Sequence, residues 1–214
     1  MSASATRRQQ GQRVNTLIDQ ALLAPSADHQ QQLVQLTQTL PVTPLADRLR
    51  KRATWICKRR REDTRQLLAT RDALIMALYA AMVPTGWACG WCDGSSIKQD
   101  ATYQAGIGGI VMVSQGPVIV RISRAIGDRQ AFEAEVAAVV AVIRAALDQQ
   151  QRRLWVYTDN SGLARLWQTH REDDRLAELR QLSVQLDRFA LQALPRRHNQ
   201  PANALAKAAA TEQN

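Results

Sequence analysis

Residues 89–96 read CGWCDGSS and set two chemistries side by side. Cys89-x-x-Cys92 has the spacing of a redox or zinc pair. Asp93 instead offers a carboxylate at the end of an apolar stretch, with the turn-forming Gly94-Ser95 behind it. Further acids stand in comparable places. Asp159 closes the apolar run RLWVYTD, and Glu133 and Glu135 open the Ala- and Val-rich run 131–147. Carboxylates brought together from separate segments repel one another unless a cation neutralises them. A set of oxygen ligands without a His or Cys cluster selects a hard cation, Mg²⁺ or Mn²⁺. Two such ions about 4 Å apart can activate a water and stabilise the leaving oxygen of a phosphodiester. The thiol chemistry fits less well. In an extended segment 88–93, Cys89, Trp91 and Asp93 share one face and Cys92 takes the other. Zinc would also need a second pair, and Cys57 stands alone. Cys89 and Cys92 therefore read as packing residues, and Asp93 as the chemical one.

The elements that must position these acids follow from the pattern after residue 86. WACGWCDG predicts a strand ending at Asp93. AGIGGIVMVS (105–114) and PVIVRISRAI (117–126) predict a hairpin with a tight Gln115-Gly116 connection. A long buried helix is expected over 131–147. Glu133 and Glu135, two residues apart, cannot share a face of it. A buried strand follows over 153–160, then helices over 163–170 and 174–188, a strand over 189–195, and a closing helix over 201–211 with Pro201 in its first turn. The order βββαβααβα implies an antiparallel hairpin fused to a parallel unit, an α/β mixed sheet. If the first and fourth strands are parallel neighbours, their carboxyl ends meet where open α/β sheets bind ligands.

Bulk composition narrows the partners. The chain has 214 residues, a formal net charge of +9 and a pI near 10.3, which favours a polyanionic partner, with nucleic acid foremost. The apolar run LIMALYAAM (74–82) is too short for a membrane span, and the basic start MSASATRRQQ has no apolar stretch of a secretory leader. Three Cys in apolar surroundings fit a reducing, cytoplasmic setting. Charge is uneven: residues 1–85 hold 13 Lys and Arg against 6 Asp and Glu, whereas residues 86–214 hold 15 against 13. With the break Pro84-Thr85-Gly86, this places a domain boundary near residue 85 and makes 1–85 a small, basic, all-helical region. Helices are expected over 12–23 and 29–40, the second capped by Ser26 or Asp28. A third is expected from Pro44 to about Met82, with Trp55, Ile56, Leu67 and Leu74 on its apolar face. Its cations Arg50, Lys51, Arg52, Lys58, Arg59, Arg60 and Arg61 form a candidate phosphate grip.

Taken as a set and in this order, WCDGS, AGIGGIVM, AFEAEVAAV, VYTDNSGL and LPRRHNQPANALAKAA resemble the type I ribonuclease H family over residues 87–211. The resemblance implies a five-stranded mixed sheet flanked by helices. It also implies hydrolysis of the RNA strand of RNA–DNA hybrids with two Mg²⁺ ions, Mn²⁺ being an alternative. Carried over, Asp93, Glu135 and Asp159 resemble three of the family's four metal-binding acids, and His198 its mobile proton-shuttling histidine. The family pattern selects Glu135 over Glu133. The fourth acid is usually the Asp of HNxxADxLA; here the run is HNQPANALA, and Asn203 takes that place. Asn is neutral, yet its carbonyl oxygen can ligate a hard cation, so one metal site should be weakened. Ser95 and Ser96, and Arg129 and Gln130 before the long helix, are expected near the 2′-hydroxyls of a bound hybrid. The alternative to an enzyme is a silent relative that binds nucleic acid or a protein partner. Two other nucleases of this broad fold fit poorly: the position of a transposase's last Glu is Leu194, and an exonuclease's Asp-x-Glu is here Asp93-x-Ser95.

Overall fold

The computed structural model describes residues 3–60, 64–113 and 116–212, and the chain divides into two compact units, Met1–Met82 and Val83–Asn214. The first is helical: α1 (Ala3–Leu23), α2 (Ala27–Leu36), α3 (Val42–Arg60) and α4 (Thr64–Ala80). Ser26 caps α2, its Oγ accepting the His29 N–H at 3.1 Å. Apolar residues at helical spacing close a core: Ile18 and Leu22 on α1, Leu45, Leu49, Ala53 and Ile56 on α3, and Leu74, Ile75 and Leu78 on α4.

Two expectations for this unit need correction. The single helix from Pro44 to Met82 is two helices folded into a hairpin, with Thr43 at the start of α3 hydrogen-bonded to the Tyr79 hydroxyl at the end of α4 (3.2 Å). Helix-forming residues continue through the break, so propensity gives no warning of it; burying both apolar faces against each other requires the reversal. Trp55, placed on the apolar face from its neighbours, is 42% exposed. At about 100° per residue it points away from the stripe formed by Leu45, Leu49, Ala53 and Ile56.

The second unit is one five-stranded sheet, in the order β3-β2-β1-β4-β5, with helices on both faces. Its elements are β1 (Ala88–Gln99), β2 (Thr102–Met112), β3 (Val118–Gly127), α5 (Ala131–Asp148), β4 (Arg153–Thr158), α6 (Ser161–Gln168), α7 (Ala177–Ser183), β5 (Arg188–Ala193) and α8 (Gln200–Thr211). The first three strands are antiparallel; β4 and β5 are parallel to β1. Val139, Val142 and Ile143 of α5 are buried against one face, together with Leu163 of α6 and Leu179 of α7. Each such side chain contributes about 1.5–3 kcal/mol of burial. The Ala-rich helix α8 lies on the other face. A methyl group at Gly108 of β2 would overlap the backbone of Ala202 and Ala206, so only glycine permits that approach.

The expected strand end at Asp93 is also corrected, because β1 runs on to Gln99. Gly94-Ser95-Ser96 carries turn-forming residues, but the antiparallel ladder with β2 continues from Cys89↔Met112 to Gln99↔Thr102 and overrides them. What ends at that point is the parallel ladder with β4, whose last pair is Cys92↔Thr158. Asp93 is thus the first residue of β1 without a neighbour on that side, and Asp159 the first residue past β4. The helix expected over 174–188 is a 3₁₀ turn (Asp174–Leu176) followed by the short α7. It cannot run further, since the Asp187 and Arg188 N–H groups donate to the Arg152 carbonyl (2.7 and 3.3 Å) and start β5. Among the described residues no helix is long and apolar enough to cross a membrane.

Candidate active site

Asp93, Glu135 and Asp159 converge. Each presents a carboxylate oxygen, and these atoms lie within 4.8 Å of one another. Three local features bring them there. Asp93 and Asp159 sit at the end of the β1–β4 ladder. Glu135 reaches the same point because α5 packs directly on β1: a methyl group at Gly94 would overlap the backbone of Ala134 and Glu135. The Gly94 N–H in turn donates to Glu135 Oε2 at 3.4 Å.

The neighbouring acids and caps have separate duties. Glu133 Oε2 accepts the Gln130 N–H at 2.9 Å and so caps α5, leaving Glu135 to the cluster. Asn160, not Asp159, caps α6, its Oδ1 accepting the Leu163 N–H at 2.9 Å. Asn203 of α8 is 4% exposed and donates from Nδ2 to Asp93 Oδ2 at 3.2 Å. One turn earlier, the buried Asn199 donates to the Cys92 carbonyl at 2.9 Å, pinning the start of α8 to the central strand.

The cluster is held out of water. Asp93 is 1% exposed, and its carboxyl is pushed up to about 8, first by burial, then by the charges of Glu135 and Asp159. Glu135 is raised to about 7 by burial and then by Asp159, against the opposing Gly94 N–H and Arg196. The Nε of Arg196 lies 3.6 Å from Asp159 Oδ2, too far for a hydrogen bond. That buried oxygen has no hydrogen-bond partner. An orphaned carboxylate oxygen beside two acids that resist ionisation is a donor set short of a cation. The three carboxylates fit a hard divalent ion, and Asn203 faces them with its amide N–H rather than its oxygen.

Cys89 and Cys92 carry no such chemistry. Both thiols are buried and unbridged, and burial pushes both well up from their ordinary range. Cys92 joins the core with Val139 on the α5 side of the sheet, while Asp93 meets α8.

The other sequence candidates are dispersed. His198 is 1% exposed inside a 3₁₀ turn (Arg196–His198), its N–H donating to the Pro195 carbonyl at 2.7 Å. Arg196 is a cation at the cluster, beside Asp159. Ser95 follows Asp93 on the same face of β1 and is half-buried. Ser96, on the other face, donates to the Arg129 carbonyl at 2.8 Å, and Gln130 is exposed at the start of α5. On α3, Lys51, Lys58 and Arg59 are exposed, and Arg52 pairs with Asp19 of α1. Arg50 faces another way, its Nε buried without a hydrogen bond. The Arg60 side chain and Arg61 lie outside the described residues. The sequence reading passed over Arg196, Gly94 as a spacer, and Asn199 as a pin. The one available signal was the placement of a glycine directly after the candidate acid.

Comparison with known proteins agrees with the topology. Residues 92–209 match the family model described as Reverse transcriptase-like. No curated protein matches the sequence. Among solved structures, RNase H1 from the halophilic archaeon Halobacterium salinarum NRC-1 is similar at 20% identity and a TM-score of 0.54, over 59% of this chain and 99% of that one. LC11-RNase H1, solved in complex with an RNA/DNA hybrid, is 18% identical with a TM-score of 0.52, over 58% and 97%. The foamy viral protease-reverse transcriptase, solved with dsDNA, is 20% identical with a TM-score of 0.50, over 61% and 99%. The chain belongs to the reverse transcriptase-like family, and the sheet that gathers Asp93, Glu135 and Asp159 has the type I ribonuclease H fold.

Proposed function

We propose that this protein is a metal-dependent endonuclease that hydrolyses the RNA strand of RNA–DNA hybrids. The observation that carries the reading is the convergence of three carboxylates, one with a buried oxygen lacking any hydrogen bond. Asp93, Glu135 and Asp159 would hold Mg²⁺ or Mn²⁺, joined by Asn203 once its amide turns its oxygen to the ion. When bound, two such ions supply an activated water and charge stabilisation for the leaving oxygen. The chain's own residues do the rest. Arg196, 70% exposed at its side chain and 3.6 Å from Asp159, is placed to meet a phosphate entering the cluster. Ser95, on the same face of β1 as Asp93, and Gln130, the exposed residue capping α5, would contact the hydroxyl that distinguishes RNA from DNA. His198, 1% exposed in the turn Arg196–His198, would assist proton transfer. Fold relatives solved with an RNA/DNA hybrid and with dsDNA support a nucleic-acid duplex as substrate. Residues 1–85 would add electrostatic grip through Lys51, Lys58 and Arg59, with Arg60 and Arg61 continuing the run in sequence; Arg52, tied to Asp19, and Arg50 are set apart from it.

Asn203 favours a second reading, a silent relative that binds nucleic acid without cutting it. Its amide donates to Asp93 where a fourth carboxylate would add charge. The deciding assay is gel-resolved cleavage of a labelled hybrid in Mg²⁺ and in Mn²⁺. Cleavage that vanishes in Asp93→Asn supports the enzyme. Folded protein that cuts in neither metal refutes it, and strong new cleavage in Asn203→Asp would mark a weakened enzyme rather than a repurposed scaffold.

A further inference from the structure

The exposed Trp55 is the least expected side chain on α3. At about 100° per residue, Arg48, Lys51, Arg52, Trp55, Lys58 and Arg59 fall within roughly a third of the helix circumference, opposite the buried stripe. No acid occurs between Asp47 and Glu62 to interrupt that face. The stripe is about 16 Å long at 1.5 Å per residue. Within it the indole is held in place. The guanidinium carbon of Arg52 lies 4.5 Å from the Trp55 ring centroid and that of Arg59 lies 4.6 Å away. Arg52 is itself fixed, donating from Nε to Asp19 Oδ1 at 2.8 Å and from its terminal nitrogen to Oδ2. The chain of contacts Asp19–Arg52–Trp55 runs from a neighbouring helix to an aromatic ring in solvent, among cations.

A lone stripe of Lys and Arg would grip any polyanion, and would need no indole. A braced ring flanked by cations matches one ligand chemistry in particular: an unpaired base for the ring and the adjoining phosphates for the cations. A duplex offers the phosphates but keeps its base faces stacked.

We infer that the α3 face centred on Trp55 binds single-stranded nucleic acid, one base stacking on the indole and the flanking phosphates meeting Lys51, Lys58 and Arg59. The base takes the place of Arg59 on the ring, and Arg59 turns to a phosphate. Arg52, tied to Asp19, stays as the brace. This inference rests on the reading of the chain as one that acts on nucleic acid, and it adds a preference for unpaired strands that the carboxylate cluster does not supply.

The test is fluorescence anisotropy of labelled oligo(U) and oligo(dT) 15-mers, and of a blunt duplex of equal length, on the full chain. An Asp93→Asn background blocks cleavage, so loss of binding and loss of catalysis are read separately. The effect of replacing Trp55 should fall on the single strands and spare the duplex. Trp55→Ala should weaken them by about 5- to 150-fold, the span of one base–aromatic stack, with the salt slope unchanged. Trp55→Phe should retain most of the affinity. Lys51→Gln with Lys58→Gln should instead flatten the slope of log K against log salt by about 1.4. Trp55→Leu, which keeps apolar bulk without a ring face, replaces the alanine variant if that one melts early. Equal loss of duplex and single-strand affinity on replacing Trp55 would overturn the inference. So would Trp55→Leu or Trp55→Ala binding within twofold of the parent, or displacement of the strands by phosphatidylserine vesicles.

Discussion

Both units crowd like charges, but under different dielectric conditions. On α3, Lys51, Lys58 and Arg59 stand in water on one helix face. In the C-terminal unit, Asp93, Glu135 and Asp159 meet within 4.8 Å, with Asp93 sealed from solvent. Two like charges 4 Å apart cost about 1 kcal/mol in water and about 4 kcal/mol at an effective dielectric of 20. The first cluster is therefore tolerated as it stands. The second pushes Asp93 to about 8 and Glu135 to about 7 and must be compensated by a cation or by protons. A surface patch of this kind can lose members one at a time. A convergent buried cluster depends on every part that aims it.

Substitutions separate the two regions, and the widest gap should be in turnover. Asp93→Asn should lower hybrid cleavage and Mn²⁺ affinity by more than about 100-fold, since even groups that merely orient metal ligands are worth 10–100-fold. Lys58→Gln should change cleavage only a few-fold, and less as salt rises. Steady-state rates and calorimetric Mn²⁺ titration check both. Stability gives the next contrast. Trp91, fully buried in β1 beside Tyr157 at a centroid distance of 5.8 Å, should cost about 3–5 kcal/mol when cut to Ala. Trp55→Ala should stay within about 0.5 kcal/mol, as an exposed site does, in urea denaturation.

Gly94→Ala tests the aim of the cluster rather than its charge. Forcing a methyl group against Ala134 and Glu135 should cost about 1–3 kcal/mol, and Mn²⁺ affinity should fall with it as Glu135 is displaced.

The titration of the acids sets a pH dependence with a definite sign. Asp93 and Glu135 hold protons more tightly in the folded chain than in the unfolded one. Between about pH 4 and 8 the native state therefore binds more protons, and stability falls as pH rises through that window. With a chelator present, Tm should drop by several degrees from pH 5 to pH 8.5. Divalent ions should reduce the drop, and Asp93→Asn should remove most of it. A smaller shift than that of Asp93→Asn is expected from Asn203→Asp. Replacing the amide that donates to Asp93 by a fourth acid should lower Tm at pH 8 in chelator by about 2–4 °C, the equivalent of about 1 kcal/mol. Mn²⁺ should restore it.

The sequence carried these regions unequally. The apolar runs 105–114 and 153–160 read as strands; the meeting of Asp93 and Asp159 required the first and fourth strands to be parallel neighbours, and the choice of Glu135 came from the family pattern. Local composition could not show that Gly94-Ser95-Ser96 stays extended, because what holds it is pairing with Ile107, Gly106 and Ala105 on β2. Nor could helix propensity tell one long helix from the α3–α4 hairpin, or the side of α3 that Trp55 takes. Both depend on which faces the packing buries. Arg196 was missed for a similar reason. A cation in the run Pro195-Arg196-Arg197 is ordinary, and only the fold sets it beside Asp159.

The pin between Asn199 and the Cys92 carbonyl joins residues 107 positions apart. Asp93 lies beside that carbonyl, and its amide partner Asn203 belongs to the same late segment. During synthesis, then, a ribosome delivers the acids well before it delivers the piece that locks them in register. Until residues 199–203 have emerged and docked, the nascent chain has carboxylates but no finished cleft, and its chemistry waits on the arrival of its last helix.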